Sequence, residues 1–420
     1  MSRERVLSQI EKYREAVIEL ERELVAIPAL SPEYGGPPEH TGERRKVDFL
    51  KRTLTDIGIE DLEEIVAPDD RVPGGERPSL IARIPGVSRE RTTWVMAHTD
   101  VVPPGDRAKW SSDPWTLRVE GDRLYGRGVE DNHQGLVAGV MAAKAILETG
   151  TTPPHDFAIL FVADEEVGSR YGIGHVLEHA NPFWPEDIII VPDGGATDGS
   201  EIEVAEKAIA WARFVTTGSP CHASMPDKGV NAMRAGAHLV VRLEALAEDF
   251  AHEDPVFDPP RSTFTPTKKD ANVEAVNILP GEDVFHLDCR VLPRHSLDDV
   301  EARMREIAAG VERDFGVRVE LSFLQREPAA PPTPVDAPVV GLLKEAIRHV
   351  YSVEASPIGI GGGTVAAFLR RRGLPCVVWS RMEETMHSPD ENADIPNILG
   401  DARVIAHVAL AGGDEKAAGT

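Results

Sequence analysis

The sequence predicts an α/β protein: a main domain with a central, mostly parallel sheet flanked by helices, interrupted by a smaller α+β domain. Three observations carry this expectation. From Ser79 onward, the short apolar runs LIARI, TWVMAH, FAILFVAD and DIIIVPD alternate with a helical stretch over about 134–148, as expected for a buried sheet with crossover helices. Near Ala205 the texture changes to strand-like KAIAWARFVTTG, VFHLDCRVLP and VRVELSFLQ, interleaved with helical NAMRAGAHLVVRLEALAEDF and a second helical stretch over 297–312. The proline-dense EPAAPPTPVDAP then forces extended backbone and suits a linker back to the first body. The expected division is 1–205 with 326–420 for the main domain and 206–325 for the insert, and a length of 420 residues favours two domains.

Taken in order, Val6, Ile10, Tyr13, Val17 and Leu20 recur at helical spacing, and another helix is expected over 44–57. After the linker, a helix over 339–350, the strand-like PCVVWS and a helix over 397–410 restore the α/β texture. There is no internal repeat, and the C-terminal GGDEKAAGT is expected to fray.

Composition narrows the function. Hydrophobic residues at 41% and charged residues at 27% describe a folded globular chain. A net charge of -25 argues against binding a nucleic-acid backbone, which needs a basic face. No apolar run is long enough for a membrane span, and the N-terminus lacks the pattern of a secretory signal, so a cytoplasmic protein is expected. Cys221, Cys289 and Cys376 are scattered without a C-x-x-C pair, so any metal must be held by histidines and carboxylates.

The chemistry concentrates where the apolar runs end, because ligands of open α/β sheets gather at the carboxyl ends of strands. MAHTDVVPPGD puts His98 and Asp100 on one side of an extended chain, so that one can bind a metal while the other holds it; taken alone, the pair also reads as a surface strand end. In GRGVEDNHQG, Asp131 lies just before the long helix, where it can bridge two cations or, with Asn132, simply cap the helix, and His133 reads as a first-turn surface residue. FVADEEVGS sets Asp164, Glu165 and Glu166 together, like charges that call for cations or shifted pKa values unless the turn is merely solvated. One of the adjacent glutamates can bind an ion while the other serves as a base. Asp193 follows the run DIIIVPD, and His387 sits in the polar loop MEETMHSPDE. Together His98, Asp131, Glu166, Asp193 and His387 supply five nitrogen and oxygen ligands, enough for two ions if Asp131 is shared.

The ordered motifs HTDVV, GRGVEDN, DEEVGS, PDGG, GSPCHASMP, GGGT and MHSPDE resemble those of the dinuclear zinc peptidases and deacylases, a group that includes carboxypeptidase G, carnosinase, aminoacylase, acetylornithine deacetylase and succinyl-diaminopimelate desuccinylase. The resemblance runs from about His98 to Glu391 and implies two divalent metal ions, zinc foremost with cobalt or manganese as alternatives. It implies that His98 and Asp193 hold one ion, Glu166 and His387 the other, and Asp131 bridges. It makes Glu165 the general base, Asp100 the orienter of His98, and the peptide bond after Asp131 cis. It further implies that the inserted domain is a lid and dimerisation domain of a homodimer, that His222 helps stabilise the oxyanion, often from the partner subunit, and that Asn277, Arg290, Gly362, Gly363 and Thr364, after Gly361, grip the carboxylate and backbone of a small substrate. From the residues alone, Arg290 can also pair with Asp288, and the glycines can form a plain turn before a helix.

The implied activity is hydrolysis of an amide bond in an N-acyl amino acid or small peptide. Deacylase and dipeptidase both stay open, since position 193 is Asp, as in the carboxypeptidase G and carnosinase branches, where the deacylases generally offer Glu. A non-catalytic metal-binding interaction protein is the different-class alternative; it would be expected to lose the base or a ligand, and all six residues are present. A mononuclear amidohydrolase or deaminase would bring an early H-x-H or a thiolate zinc motif, and neither occurs.

Overall fold

A computed structural model describes residues 2–412 as two compact units. The first comprises the chain up to Val204, Thr333–Pro357 and the chain from Phe368, and the second comprises Ala205–Pro332 with Ile358–Ala367. Ala205 and residues 326–332 and 358–367, assigned from sequence to the main domain, thus lie in the second unit. Hydrogen bonds hold the latter stretch there: Lys207 N–H donates to the Ile360 carbonyl, Thr364 Oγ1 to Glu206 Oε1, and Arg290 Nη1 to the Gly361 carbonyl. Met1 and the residues from 413, including most of the segment expected to fray, lie outside the described residues.

In chain order the first unit opens with α1 (Ser2–Ile10), α2 (Arg14–Val25), α3 (Arg44–Asp56), β1 (Asp61–Pro68), β2 (Glu76–Ile84), β3 (Ser88–His98), β4 (Arg118–Glu120), β5 (Arg123–Tyr125), α4 (His133–Glu148), β6 (His155–Val162), α5 (Ile173–His179), β7 (Ile188–Val191) and β8 (Glu201–Glu206). The second unit holds β9 (Ala208–Thr217), α6 (Ala232–Leu243), α7 (Ala245–Asp249), β10 (Thr263–Lys269), β11 (Glu282–Val291), α8 (Leu297–Phe315) and β12 (Arg318–Glu327). The chain ends with α9 (Pro338–Tyr351), β13 (Ser356–Ile360), α10 (Ala366–Arg371), β14 (Cys376–Val378), β15 (Asn392–Asp394) and α11 (Ile395–Ala409).

The large sheet has eight strands in the order β1-β2-β6-β3-β7-β14-β8-β13. Its centre, β6-β3-β7-β14, is parallel, while β1, β2 and β8 run antiparallel to their neighbours. The parallel strands, read from sequence as apolar runs, end together, with His98 opposite Val162. Helix α4 is apolar on nearly every side because it lies between this sheet and α1, α2 and α11. Gly135 permits the approach: a Cβ there would lie 2.3 Å from the Pro192 carbonyl oxygen. Phe157 and Phe161 are completely enclosed in β6, each burial contributing about 1.5–3 kcal/mol.

The first helical segment is broken rather than continuous. A turn in which Lys12 N–H bonds the Gln9 carbonyl and Tyr13 N–H the Ile10 carbonyl separates α1 from α2. Val6, Ile10, Tyr13, Val17 and Leu20 are nevertheless all buried, the bend letting both helices follow α4. The second unit is a four-stranded antiparallel sheet, β10-β11-β9-β12, with α6 and α8 packed on it. Phe214 and Phe285 stack at 5.0 Å in its core, and Asn231 and Ser296 cap the two helices through their side chains. No helix among the described residues is long and apolar enough to cross a membrane.

Glu148 ties the N-terminal helices to α4. Lys144 Nζ lies 2.6 Å from its Oε1, and Tyr13 OH and Gln9 Nε2 donate to its Oε2. These donors, Lys144 first, lower its pKa to about 2. A depressed carboxyl contributes stability that is complete above the unfolded value, near 4.5, and is lost as pH falls toward 2. Glu148→Gln is expected to flatten stability over pH 4.5 to 2 without changing activity at neutral pH; unfolding midpoints across that range check it, and an unchanged acid limb would contradict it.

Candidate metal centre

The carboxyl edge of the parallel strands brings together residues far apart in sequence. His98 ends β3, Glu165 and Glu166 follow β6 in a short 3-10 turn, Asp193 lies two residues beyond β7, Asp131 precedes α4, and His387 lies in the loop between β14 and β15. His98 Nε2 lies 2.9 Å from Asp131 Oδ1 and 3.4 Å from Asp193 Oδ1. His387 Nε2 lies 2.9 Å from the other Asp131 oxygen, Oδ2, and 3.1 Å from Glu166 Oε2. Asp131 therefore presents one oxygen to each of two donor groups, His98–Asp131–Asp193 and Asp131–Glu166–His387, whose ligating atoms lie within 4.8 Å of one another. The peptide bond between Asp131 and Asn132 is cis.

The electrostatics of these residues are those of carboxylates and imidazoles crowded together out of water. Burial, then the charge of Asp193, hold the Glu165 carboxyl well above the ordinary range. Burial would depress His98, but the charge of Asp193 and hydrogen bonds with Asp100, Asp131 and Asp193 carry it well up. Hydrogen bonds with Asp131 and Glu166 lift His387 to about 10. Glu166 Oε1 is buried without a hydrogen-bond partner. Two imidazoles, three carboxylates and no thiolate make a donor set that suits a pair of divalent cations, which would answer both the converging charge and the orphaned oxygen.

Neighbouring groups aim these residues. His98 Nδ1 donates to the main-chain carbonyl of Asp100 at 2.9 Å, while the Asp100 carboxylate, 3.6 Å from Nδ1, accepts from the N–H groups of Glu165 at 3.0 Å and Glu166 at 3.1 Å. Asp100 thus joins the His98 strand to the glutamate turn. The three acidic residues of that turn divide: Asp164, with φ of 65°, turns back to Arg77, leaving Glu165 and Glu166 at the site. The Glu165 carboxylate makes no hydrogen bond or ion pair among the described residues.

The remaining candidates belong to the second unit. His222 is exposed, its Nδ1 accepting from the hydroxyl of Ser224 at 2.8 Å, and it pairs with Ile278 in a bridge beside the exposed Asn277. Arg290 donates to both oxygens of Asp288, at 2.9 and 3.0 Å, and to the Gly361 carbonyl at 2.7 Å, which places it beside the Gly361–Gly362–Gly363–Thr364 stretch.

Sequence reasoning missed several contributors. His133, read as a surface residue, is buried: Nε2 lies 2.8 Å from Lys46 Nζ and Nδ1 3.3 Å from Glu21. The apolar character of its helix on nearly every side, with no polar face to turn toward solvent, was the available signal. Asn132 does not cap the helix through its side chain; its Nδ2 donates to the Pro192 carbonyl at 2.8 Å and to Asp193 Oδ1. Buried Arg77 and Glu43 left no sequence signal, and Arg127, Glu130 and Glu391, though inside the motifs GRGVEDN and MHSPDE, were given no role, their partners being remote along the chain.

A paired histidine and carboxylate donor set at the carboxyl edge of an α/β sheet, with an unpartnered glutamate beside it, defines a metallohydrolase. The profile described as peptidase family M20/M25/M40 matches residues 94–411, and the chain belongs to that family. It is similar to an uncharacterized metallohydrolase of Methanococcus maripaludis, 34% identical over 92% of this chain and 97% of that protein. It is also similar to succinyl-diaminopimelate desuccinylase 1 of a Ruegeria species, 27% identical over 91% of this chain and 94% of the relative. Human carnosine dipeptidase 1 shares the fold, with a TM-score of 0.72 at 17% identity over 98% of each chain. The protein is a hydrolase of amide or peptide bonds.

Titration of chelator-treated protein with Co(II) or Zn(II) is expected to show two ions per chain. Asp131→Ala should weaken both by roughly 100-fold or more, beyond the loss typical of residues that only support a ligand, whereas His98→Ala should weaken one. Calorimetry that finds a single ion, indifferent to Asp131→Ala, would refute the shared carboxylate.

Proposed function

We propose that this chain removes the acyl group from a small N-acyl amino acid, using two zinc ions. The observation that carries this reading is Glu165: a half-buried carboxylate next to Glu166 with no hydrogen bond or ion pair among the described residues, its main chain held by Asp100. The cations, when bound, supply Lewis acidity to water and to the scissile carbonyl. His98 and Asp193 would hold one ion, Glu166 and His387 the other, and Asp131 both. Glu165 takes a proton from the attacking water and returns it to the leaving nitrogen, so that the amide becomes a carboxylate and an amine.

The 27% identity with a desuccinylase supports the deacylase reading. A second reading, dipeptidase action, is favoured by Asp193, the residue of the carboxypeptidase G and carnosinase branches. In either case we assign His222 to the oxyanion, and Asn277, Arg290, Gly362, Gly363 and Thr364 to the substrate carboxylate and backbone, in a homodimer whose second unit serves as lid and dimerisation domain. Guanidinium and glycine-loop amides suit a carboxylate.

Glu165→Gln should lower kcat about 100- to 10,000-fold while the protein still takes up two ions. Undiminished turnover of every N-acyl amino acid and dipeptide by that variant would refute the mechanism. Arg290→Ala should raise KM roughly 10- to 100-fold for substrates with a free carboxylate, the loss expected for a charged hydrogen bond, and leave carboxamide analogues unchanged. Steady-state kinetics on a panel of both substrate classes measures this and separates the two readings: a deacylase turns over N-acyl amino acids with the higher kcat/KM.

A further inference from the structure

The loops carrying Asp131 and His387 exchange buried glutamates. Glu391, four residues after His387 and fully buried, accepts at Oε1 from the N–H groups of Glu130 at 3.1 Å and Asp131 at 3.0 Å. Its Oε2 accepts from Gly128 N–H at 3.1 Å and from Arg127 Nη1. In the other direction, Glu130, adjacent to Asp131 and also fully buried, accepts from the N–H groups of Glu383 and Thr385 and from Thr385 Oγ1 at 2.8 Å. Thr385 Oγ1 is itself tied to Asn392 N–H at 2.9 Å, and Arg127 Nη2 reaches the Ser388 carbonyl at 3.4 Å.

Neither stretch is regular secondary structure, so its N–H groups need other acceptors. Each loop finds them in a carboxylate from the other. Gly128 is part of the fit: its φ is +91°, and a Cβ there would lie 2.8 Å from Val101 Cγ1. The result is a fixed distance between the two loops' functional side chains, 2.9 Å from His387 Nε2 to Asp131 Oδ2.

We propose that Glu130 and Glu391 are positioning residues that set the spacing of Asp131 and His387, and so tune the affinity of the metal ions those residues hold. This rests on the reading of Asp131 and His387 as metal ligands. The two glutamates act at different points. Glu130 anchors only the loop that carries His387, so its loss bears on the ion held by Glu166 and His387. Glu391 anchors the main chain of the shared Asp131, so its loss bears on both ions.

The geometry calls for a carboxylate, not merely its shape, because a glutamine amide would turn an N–H toward N–H groups that need an acceptor. In calorimetric titrations of chelator-treated full-length protein with Co(II), Glu130→Gln should weaken one of two ions roughly 10- to 100-fold, and Glu391→Gln both, the range typical of groups that support a ligand. Thr385→Val, a milder change that removes one bond to Glu130 and the acceptor of Asn392 N–H, should weaken the same ion as Glu130→Gln, and Thr385→Ser should restore it. Circular dichroism of each variant checks folding; if the buried glutamine variants do not fold, the Thr385 pair decides. Wild-type affinities in Glu130→Gln, or in Thr385→Val where Glu130→Gln cannot be folded, would overturn the proposal. His387→Ala separates the two ideas: if it leaves both affinities unchanged, the ligand assignment itself fails, whereas a loss there beside wild-type binding in the clamp variants overturns the clamp alone.

Discussion

The first unit is organised by a division of labour among buried carboxylates. Arg77 donates to Glu43 and Asp164, and Arg127 to Glu391, all of them buried. Asp131, Glu165, Glu166 and Asp193 have no lysine or arginine ion pair among the described residues. Of these half-buried carboxylates, Asp131, Asp193 and Glu166 have as ion-pair partners only the imidazoles of His98 and His387, and Glu165 has no such partner, an arrangement that is costly to bury. The cations the protein itself supplies stand behind the site and neutralise the carboxylates that shape it, so those facing inward are left for ions from solution.

That division depends on main-chain geometry as much as on charge. The parallel strands deliver His98, the Glu165–Glu166 turn and Asp193 to one edge, but the sheet alone sets only their approximate height. Final aim comes from carboxylates that gather loop N–H groups: Asp100 takes those of Glu165 and Glu166, and Glu391 those of Gly128, Glu130 and Asp131. Acceptors of this kind cost little to place, since each loop N–H needs a partner in any case. They also tie together the separate segments that carry the candidate ligands.

Much of this was legible in the sequence, for identifiable reasons. The apolar runs that became β2, β3, β6 and β7 are buried on both faces, which leaves a continuous signal, and the polar residues closing β3, β6 and β7 marked the site. The strands β1 and β10, and the short β4, β5, β13 and β15, escaped notice because they are brief or partly exposed, and β8, though buried, because Glu201, Glu203 and Glu206 interrupt its apolar run. His133 was misread because a polar residue at a helix start usually faces solvent; here Lys46 and Glu21 receive it inside the protein. Pairings such as Glu130 with Thr385 span more than 250 positions, and no local pattern encodes them.

The second unit follows a different logic. Its arginine candidate, Arg290, already holds a bidentate carboxylate from Asp288, whose Oδ2 also accepts from Trp211 Nε1 at 2.8 Å. A substrate carboxylate meeting this guanidinium would exchange with an existing partner rather than fill a bare charge, so the Coulombic gain from the first contact is partly offset by what is given up. Such an exchange rewards a ligand that matches the guanidinium in geometry as well as sign. In the substrate-binding role proposed for it, Arg290 would choose among small carboxylates by shape more than capture them by charge.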